Sequence, residues 1–225
     1  MSCTKDYTFY AVDKHRNNDA LKKIDILTKF KAIAVHDNYS MYFKYGDCSH
    51  SLCNAHHYRE LKGAFDEDGF LWLSKMIDLL FKIKKEVDIS ENTKSLDTKQ
   101  LFEFEKEYKE ILDEGAKNYP IIETIEKKRG RLKRTKSHNL FIRFIKRRNE
   151  ILLFMYNFDV PFDNNQAERD IRMPKLKQKI SGCFRSQIGA EIFCRNRGYI
   201  STIKKQKLNV LESICDIFSN HPFTV

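Results

Sequence analysis

Apolar positions fall three and four apart through the middle of the chain, and in short unbroken runs near its start. Leu73, Met76, Ile77, Leu80 and Ile83 recur at helical spacing, which predicts an amphipathic helix beginning near Trp72. Phe102, Tyr108 and Leu112 mark a second helix, and Phe141, Ile145, Leu152 and Tyr156 trace a third. Ahead of this block the periodicity changes. Tyr7–Val12 is rich in β-branched and aromatic residues and predicts a strand, whereas Leu21, Ile24 and Leu27 predict a helix over Asp19–Leu27. Ala32-Ile33-Ala34-Val35 is a short apolar run that stops at His36-Asp37, so it reads as a strand buried on both faces with Asp37 at its C-terminal end. After the helical block, the Asp and Asn cluster at Asp163–Asn165 supplies N-cap residues for a further helix. The order of elements predicts an α/β core interrupted by a helical insertion, with a basic linker, Lys127–Arg134, inside the insertion.

Composition narrows this picture. The chain has 225 residues, enough for one large domain or one domain carrying an insertion, and 41% hydrophobic with 32% charged residues is a globular balance. No apolar run approaches the ~18 residues of a membrane span, and the first residues do not lead into a signal-peptide core. A cytoplasmic protein is expected, with its six cysteines as buried thiols rather than disulfides. The formal charge of +10 favours polyanions through release of condensed counterions, nucleic acid being the commonest.

Three stretches carry candidate chemistry. Cys48, Cys53 and His56 or His57 have the donor types of a zinc site, but no fourth ligand is visible, and a buried Cys and His at a helix start is the better reading. In Asp163–Arg172, Glu168 falls in a first helical turn, where it would complete a capping box with Asn165 or pair with Arg172 at i+4. From Arg172 to Ser186, basic residues alternate with apolar ones before a small-residue turn. This reads as a solvated strand or loop face, or as a row of cations aimed at phosphates. No phosphate loop, nucleophile elbow or dinucleotide fingerprint occurs.

Taken in order, these segments resemble the transposases of the insertion sequence sixty-six family, members of the DDE group with an RNase H-like fold. The resemblance is carried by Val35-His36-Asp37-Asn38-Tyr39, by Leu52–Leu61, by Pro161–Met173, by Lys177–Gly182 and by Tyr199-Ile200-Ser201-Thr202. It weakens only in the helical block. It implies that Asp37 and Glu168 are metal-binding catalytic carboxylates, holding two Mg²⁺ (or Mn²⁺) ions about 4 Å apart for hydrolysis that frees a 3′-hydroxyl and for attack of that hydroxyl on target DNA. Lys175, Lys177, Lys179 and Arg185 are then expected to position the DNA backbone. Arg172 would do likewise or orient Glu168, and Cys53 with His56 would brace the site beside Asp37. The implied division is residues 1–66 and 158–225 for the RNase H-like core and 67–157 for the insertion. The implied partners are terminal inverted repeats and target DNA, with homo-oligomers or accessory proteins of the element.

The chain also departs from the family. The family's first catalytic aspartate lies on an opening strand upstream of the stretch similar to Tyr7–Val12, and neither Asp6 nor Asp13 stands in that motif. The expectation is an N-terminally truncated catalytic-domain fragment, its core incomplete and inactive alone. The alternatives are a non-catalytic DNA-binding remnant that inhibits an intact transposase, and a small zinc-stabilised module around Cys48, Cys53 and His56.

Overall fold

In a computed structural model, described over residues 1–15, 17–90, 93–119 and 134–222, the chain divides into two compact units. One comprises Phe30–Asn164, the other Met1–Lys29 together with Asn165–Val225. The fold is mixed α/β and mostly helical, with one two-stranded sheet in each unit. The basic linker falls at 127–133 outside the described residues.

In the Phe30–Asn164 unit, β3 (Ile33–His36) pairs in parallel with β4 (Ser49–Leu52), from Ile33 opposite Ser49 to His36 opposite Leu52. The expected strand is present, but Ile33, Ala34 and Val35 are half-buried rather than enclosed on both faces, because β3 has only β4 as a strand neighbour. β4 runs straight into α2 (Asn54–Asp68), with the buried Cys53 in extended geometry at its N-cap. The Ser51 hydroxyl donates to the Glu150 carbonyl at 3.3 Å and the Asn54 amide to the Ile151 carbonyl at 3.1 Å, fastening this junction to α6 (Arg148–Tyr156).

The apolar faces of α3 (Leu71–Ile89), α4 (Thr98–Ala116), α5 (Lys136–Lys146) and α6 meet in one core. Leu73, Met76, Leu80 and Ile83 are buried as their spacing predicts, around Trp72, whose ring stands edge-on to Phe141 at 5.6 Å. The buried Tyr108 hydroxyl donates to the Phe144 carbonyl at 2.8 Å, which satisfies a polar group inside the core. An Asp97–Gln100 capping box starts α4, and the Thr135 side chain caps α5. The third expected helix is in fact two. Arg147 leaves helical geometry (φ −116°, ψ 26°) between α5 and α6, so the register resets there; Ile145 on α5 and Tyr156 at the end of α6 are both exposed.

In the other unit, the predicted Tyr7–Val12 strand is only β2 (Thr8–Phe9). It pairs antiparallel with β1 (Ser2–Cys3), and the tight turn closed by Thr4 N–H to the Tyr7 carbonyl leaves room for two pairs alone. Helix α1 (Asn18–Ile24) ends before Leu27 because Asp25 adopts the left-handed conformation, φ 55°. α9 (Gln187–Lys205) packs on β2, and Gly198 makes the close approach possible: a Cβ there would lie 3.2 Å from the Thr8 carbonyl oxygen. α7 (Asn165–Asp170), α8 (Arg172–Ser181) and α10 (Val210–Phe218) complete the unit.

Candidate functional site

Asp37 follows the last residue of β3, at the C-terminal end of a parallel strand, as its sequence position predicts. Its carboxylate accepts the Tyr39 main-chain N–H at 3.1 Å, an Asx-type turn that holds the side chain at the strand end. His36 beside it is buried. Its Nδ1 meets the Asp37 carbonyl and its Nε2 lies 3.0 Å from Nδ1 of His50. Burial holds the His36 ring below its ordinary pKa against the opposing pull of that carbonyl. Sequence reasoning gave no sign of the His36–His50 pair, because β4 itself was not foreseen.

The stretch Phe162–Asn164 is laid against this same strand end. Asn54 N–H donates to the Phe162 carbonyl at 3.0 Å, Asn164 N–H to the Cys53 sulfur at 3.1 Å, and the Asn164 amide to the Val35 carbonyl at 3.5 Å. Cys53 is thereby tied to Asn164 beside the strand that precedes Asp37. Burial raises its thiol pKa, so a neutral acceptor and not a thiolate is the resting species. Cys48 instead donates to the Tyr45 carbonyl at 3.5 Å. Among the described residues no group of three or more His, Cys, Asp and Glu is placed to hold a metal ion, so the zinc arrangement of Cys48, Cys53 and His56 does not form.

Glu168 lies on α7, in the first turn, four residues beyond Asn164 in the sequence and in the other unit. Two residues on, Asp170 anchors α7 within its own unit. Its carboxylate is 3.0 Å from Lys205 Nζ of α9, with both side chains only 11% exposed. It also accepts from Gln166 at 2.9 Å and Thr8 at 3.3 Å, while its carbonyl accepts the Tyr10 hydroxyl at 2.5 Å. Nothing local in the sequence predicts this hub, since its partners lie up to 162 positions away.

The segment from Arg172 to Ile180 is neither strand nor loop but helix α8. Lys, Leu and Gln favour helix, and Pro174 sits in the first turn, where a missing N–H costs little. Gly182, at φ 72°, ends it, and Arg185 lies in the turn before α9. Arg172, Lys175, Lys177, Lys179 and Arg185 are all exposed, and among the described residues none has a carboxylate partner. The i+4 pair between Arg172 and Glu168 is therefore not made. Other cations are paired: Lys75, Lys82, Lys136 and Arg148 of the Phe30–Asn164 unit each sit within 2.8 Å of a glutamate on a neighbouring element, and Lys205 pairs with Asp170 in the unit of α8. The charge is divided unevenly. The unit containing α8 has 17 Lys and Arg against 9 Asp and Glu, a formal +8 of the chain's +10.

Among the described residues no helix is long and apolar enough to cross a membrane. Neither the curated proteins nor the solved structures give a match. The model of the Transposase IS66 family matches residues 1–192, which include every segment carrying Asp37, Glu168 and α8. The chain belongs to the Transposase IS66 family.

Proposed function

We propose that the chain is a transposase catalytic-domain fragment that handles DNA for strand cleavage and strand transfer, with Asp37 and Glu168 as two of the metal-holding carboxylates of an RNase H-like core. Residues 1–66 and 158–225 are the parts of that core and 67–157 its helical insertion. The observation that carries the reading is the position of Asp37. It stands at the C-terminal end of a parallel strand, the edge at which open α/β sheets bind ligands, and Asn164 of the glutamate motif is hydrogen-bonded to that strand.

Carboxylate oxygens are the donor chemistry that hard divalent cations take, so Asp37 and Glu168 fit Mg²⁺ or Mn²⁺ in kind. Bound there, such ions would stabilise charge on the attacking and leaving oxygens of an in-line displacement at phosphorus. The chain's own residues supply position. Tyr39 N–H fixes the Asp37 carboxylate, Asp170 anchors the helix of Glu168, and Arg172, Lys175 and Lys179 of α8, with Arg185, hold DNA phosphates. On this reading Asp37 and Glu168 are two of three carboxylates, and cleavage requires the third acid as well. A second reading, a DNA-binding protein without catalysis that inhibits an intact transposase, is favoured by the +8 of the α8 unit.

Terminal-repeat duplex incubated with the chain and Mg²⁺, alone and with a catalytic domain carrying Asp37→Ala, separates the two. Complementation between the chain and that partner, lost when the chain itself carries Asp37→Ala, is the result expected for a catalytic fragment. Duplex binding with no cleavage in any combination leaves the inhibitory reading in its place.

A further inference from the structure

We propose that one face of α8, formed by Arg172, Lys175 and Lys179, holds the phosphates of a single strand of duplex DNA, and that Lys177 takes no part in this contact. The inference rests on reading the chain as a DNA-handling transposase domain, and goes beyond it by dividing the cations of α8 into two sets. In an extended chain, whose side-chain period is two, Lys175, Lys177 and Lys179 would share one side. In a helix each residue turns by about 100°, from 3.6 residues per turn. Arg172 and Lys179, seven positions apart, then lie within about 20° of one another, with Lys175 about 40° from Lys179 on the same side. Lys177 falls about 160° from both Lys175 and Lys179, on the opposite side.

The dimensions fit the ligand. At 1.5 Å rise per residue the row from Arg172 to Lys179 spans about 10 Å, and phosphates of one DNA strand advance about 3.4 Å along the axis, so the row covers roughly three steps. Charge complementarity selects the occupant. α8, RMPKLKQKIS, contains no acidic residue, and its cations are exposed with no carboxylate partner among the described residues. They can meet phosphates and release counterions without first breaking an ion pair. The lysines of α3 that face glutamates at 2.5 and 2.7 Å have no such freedom.

The test is binding of the full chain to a fluorescent 30-base-pair duplex between 50 and 200 mM salt, comparing R172Q, K175Q, K179Q and K177Q. Each of the first three is expected to weaken binding about threefold to tenfold at low salt and to reduce the slope of log affinity against log salt by about 0.9. K177Q is expected to stay within about twofold with an unchanged slope, and K175R to restore what K175Q loses. Circular dichroism of each variant shows whether α8 and its unit remain folded. Equal losses for all four substitutions, or a loss confined to K177Q, overturn the face. Tighter binding to polyglutamate than to duplex, through the same three residues, overturns DNA as the occupant. Failure of the unsubstituted chain to bind duplex at any salt removes the DNA-handling reading itself, and the proposal with it.

Discussion

The Asn164 main-chain N–H donates to the buried sulfur of Cys53 across 3.1 Å, joining two motifs 111 positions apart at the end of the strand that precedes Asp37. A buried N–H left without an acceptor costs about 1–3 kcal/mol, and a vacated side-chain volume adds to that. Cys53→Ala is expected to destabilise the Phe30–Asn164 unit by about 2 kcal/mol. Cys53→Ser, which keeps an acceptor, should lose less. Urea denaturation of the two variants checks the order, and equal losses would show that the sulfur only fills space.

The parts of this arrangement that depend on neighbours in the chain were legible in the sequence. The end of β3 at Asp37 follows from an apolar run meeting a polar one, and the start of α7 from the caps around Asp163. The buried face of α3 follows from spacing alone. What was not legible depends on pairing or on helix ends. Alternation in Lys175-Leu176-Lys177-Gln178-Lys179 imitates a strand, yet helix propensity and a first-turn proline make it α8. β4 is Ser-His-Ser-Leu, nearly without apolar residues, and exists because β3 offers it a ladder. The break at Arg147 left no pattern to read, and Asp170 finds Lys205 and Thr8 only once α9 has packed on the hairpin.

His57 predicts loss of stability in mild acid. It is 1% exposed, its ring stands edge-on to Phe144 at 5.1 Å, and among the described residues neither ring nitrogen has a hydrogen-bond partner. Burial lowers its pKa. The Glu60 carboxylate, 3.7 Å from Nδ1, pulls the other way, and the Arg143 guanidinium adds to the lowering. The folded chain therefore keeps His57 neutral where the unfolded chain protonates it, near the ordinary value of about 6.5. Protons favour the unfolded state below that value, so stability is lost as pH falls from about 7.5 to 5.5. His36, also lowered by burial, adds a slope of the same sign. His57→Leu should flatten the dependence in urea melts without abolishing it, and an unchanged slope would exclude His57 as its source.

Two helical glycines, one on α4 and one on α2, should respond oppositely to alanine. A Cβ on Gly115 would lie 2.9 Å from Cγ of Trp72 and 3.2 Å from Cε2 of Phe141, both in the packed core. The gain of about 1 kcal/mol in helix propensity is then outweighed by overpacking of about 1–3 kcal/mol, and Gly115→Ala should lower the melting temperature. Gly63, on the exposed side of α2, meets nothing within 4 Å, so Gly63→Ala should stabilise by about 0.5–1 kcal/mol. Calorimetry of both variants decides, and a gain in each would mean that the Trp72 ring yields freely.

The strongest test of how α7 is held concerns Lys205. Its Nζ is 3.0 Å from the Asp170 carboxylate and donates to the Thr4 carbonyl at 3.0 Å and the Tyr7 carbonyl at 3.2 Å. One ammonium thus ties α9 to the β1–β2 turn and to the end of the helix that bears Glu168. Lys205→Met keeps the apolar stem and removes three donors. It leaves Asp170 with Gln166 and Thr8, so the loss is one ion pair plus two hydrogen bonds from the ammonium to neutral carbonyls. A cost of about 1.5–3 kcal/mol is expected, and Lys205→Arg should recover part of it. Asp170→Asn in the Lys205→Met background should cost less than Asp170→Asn alone, because the pair is already broken. Hydrogen exchange locates the effect. Amides of Thr8, Phe9 and α7 should exchange faster, while those of α3 and α4 keep their protection. Additive losses from the two substitutions, or unchanged exchange at Thr8, would mean that Asp170 holds α7 without Lys205.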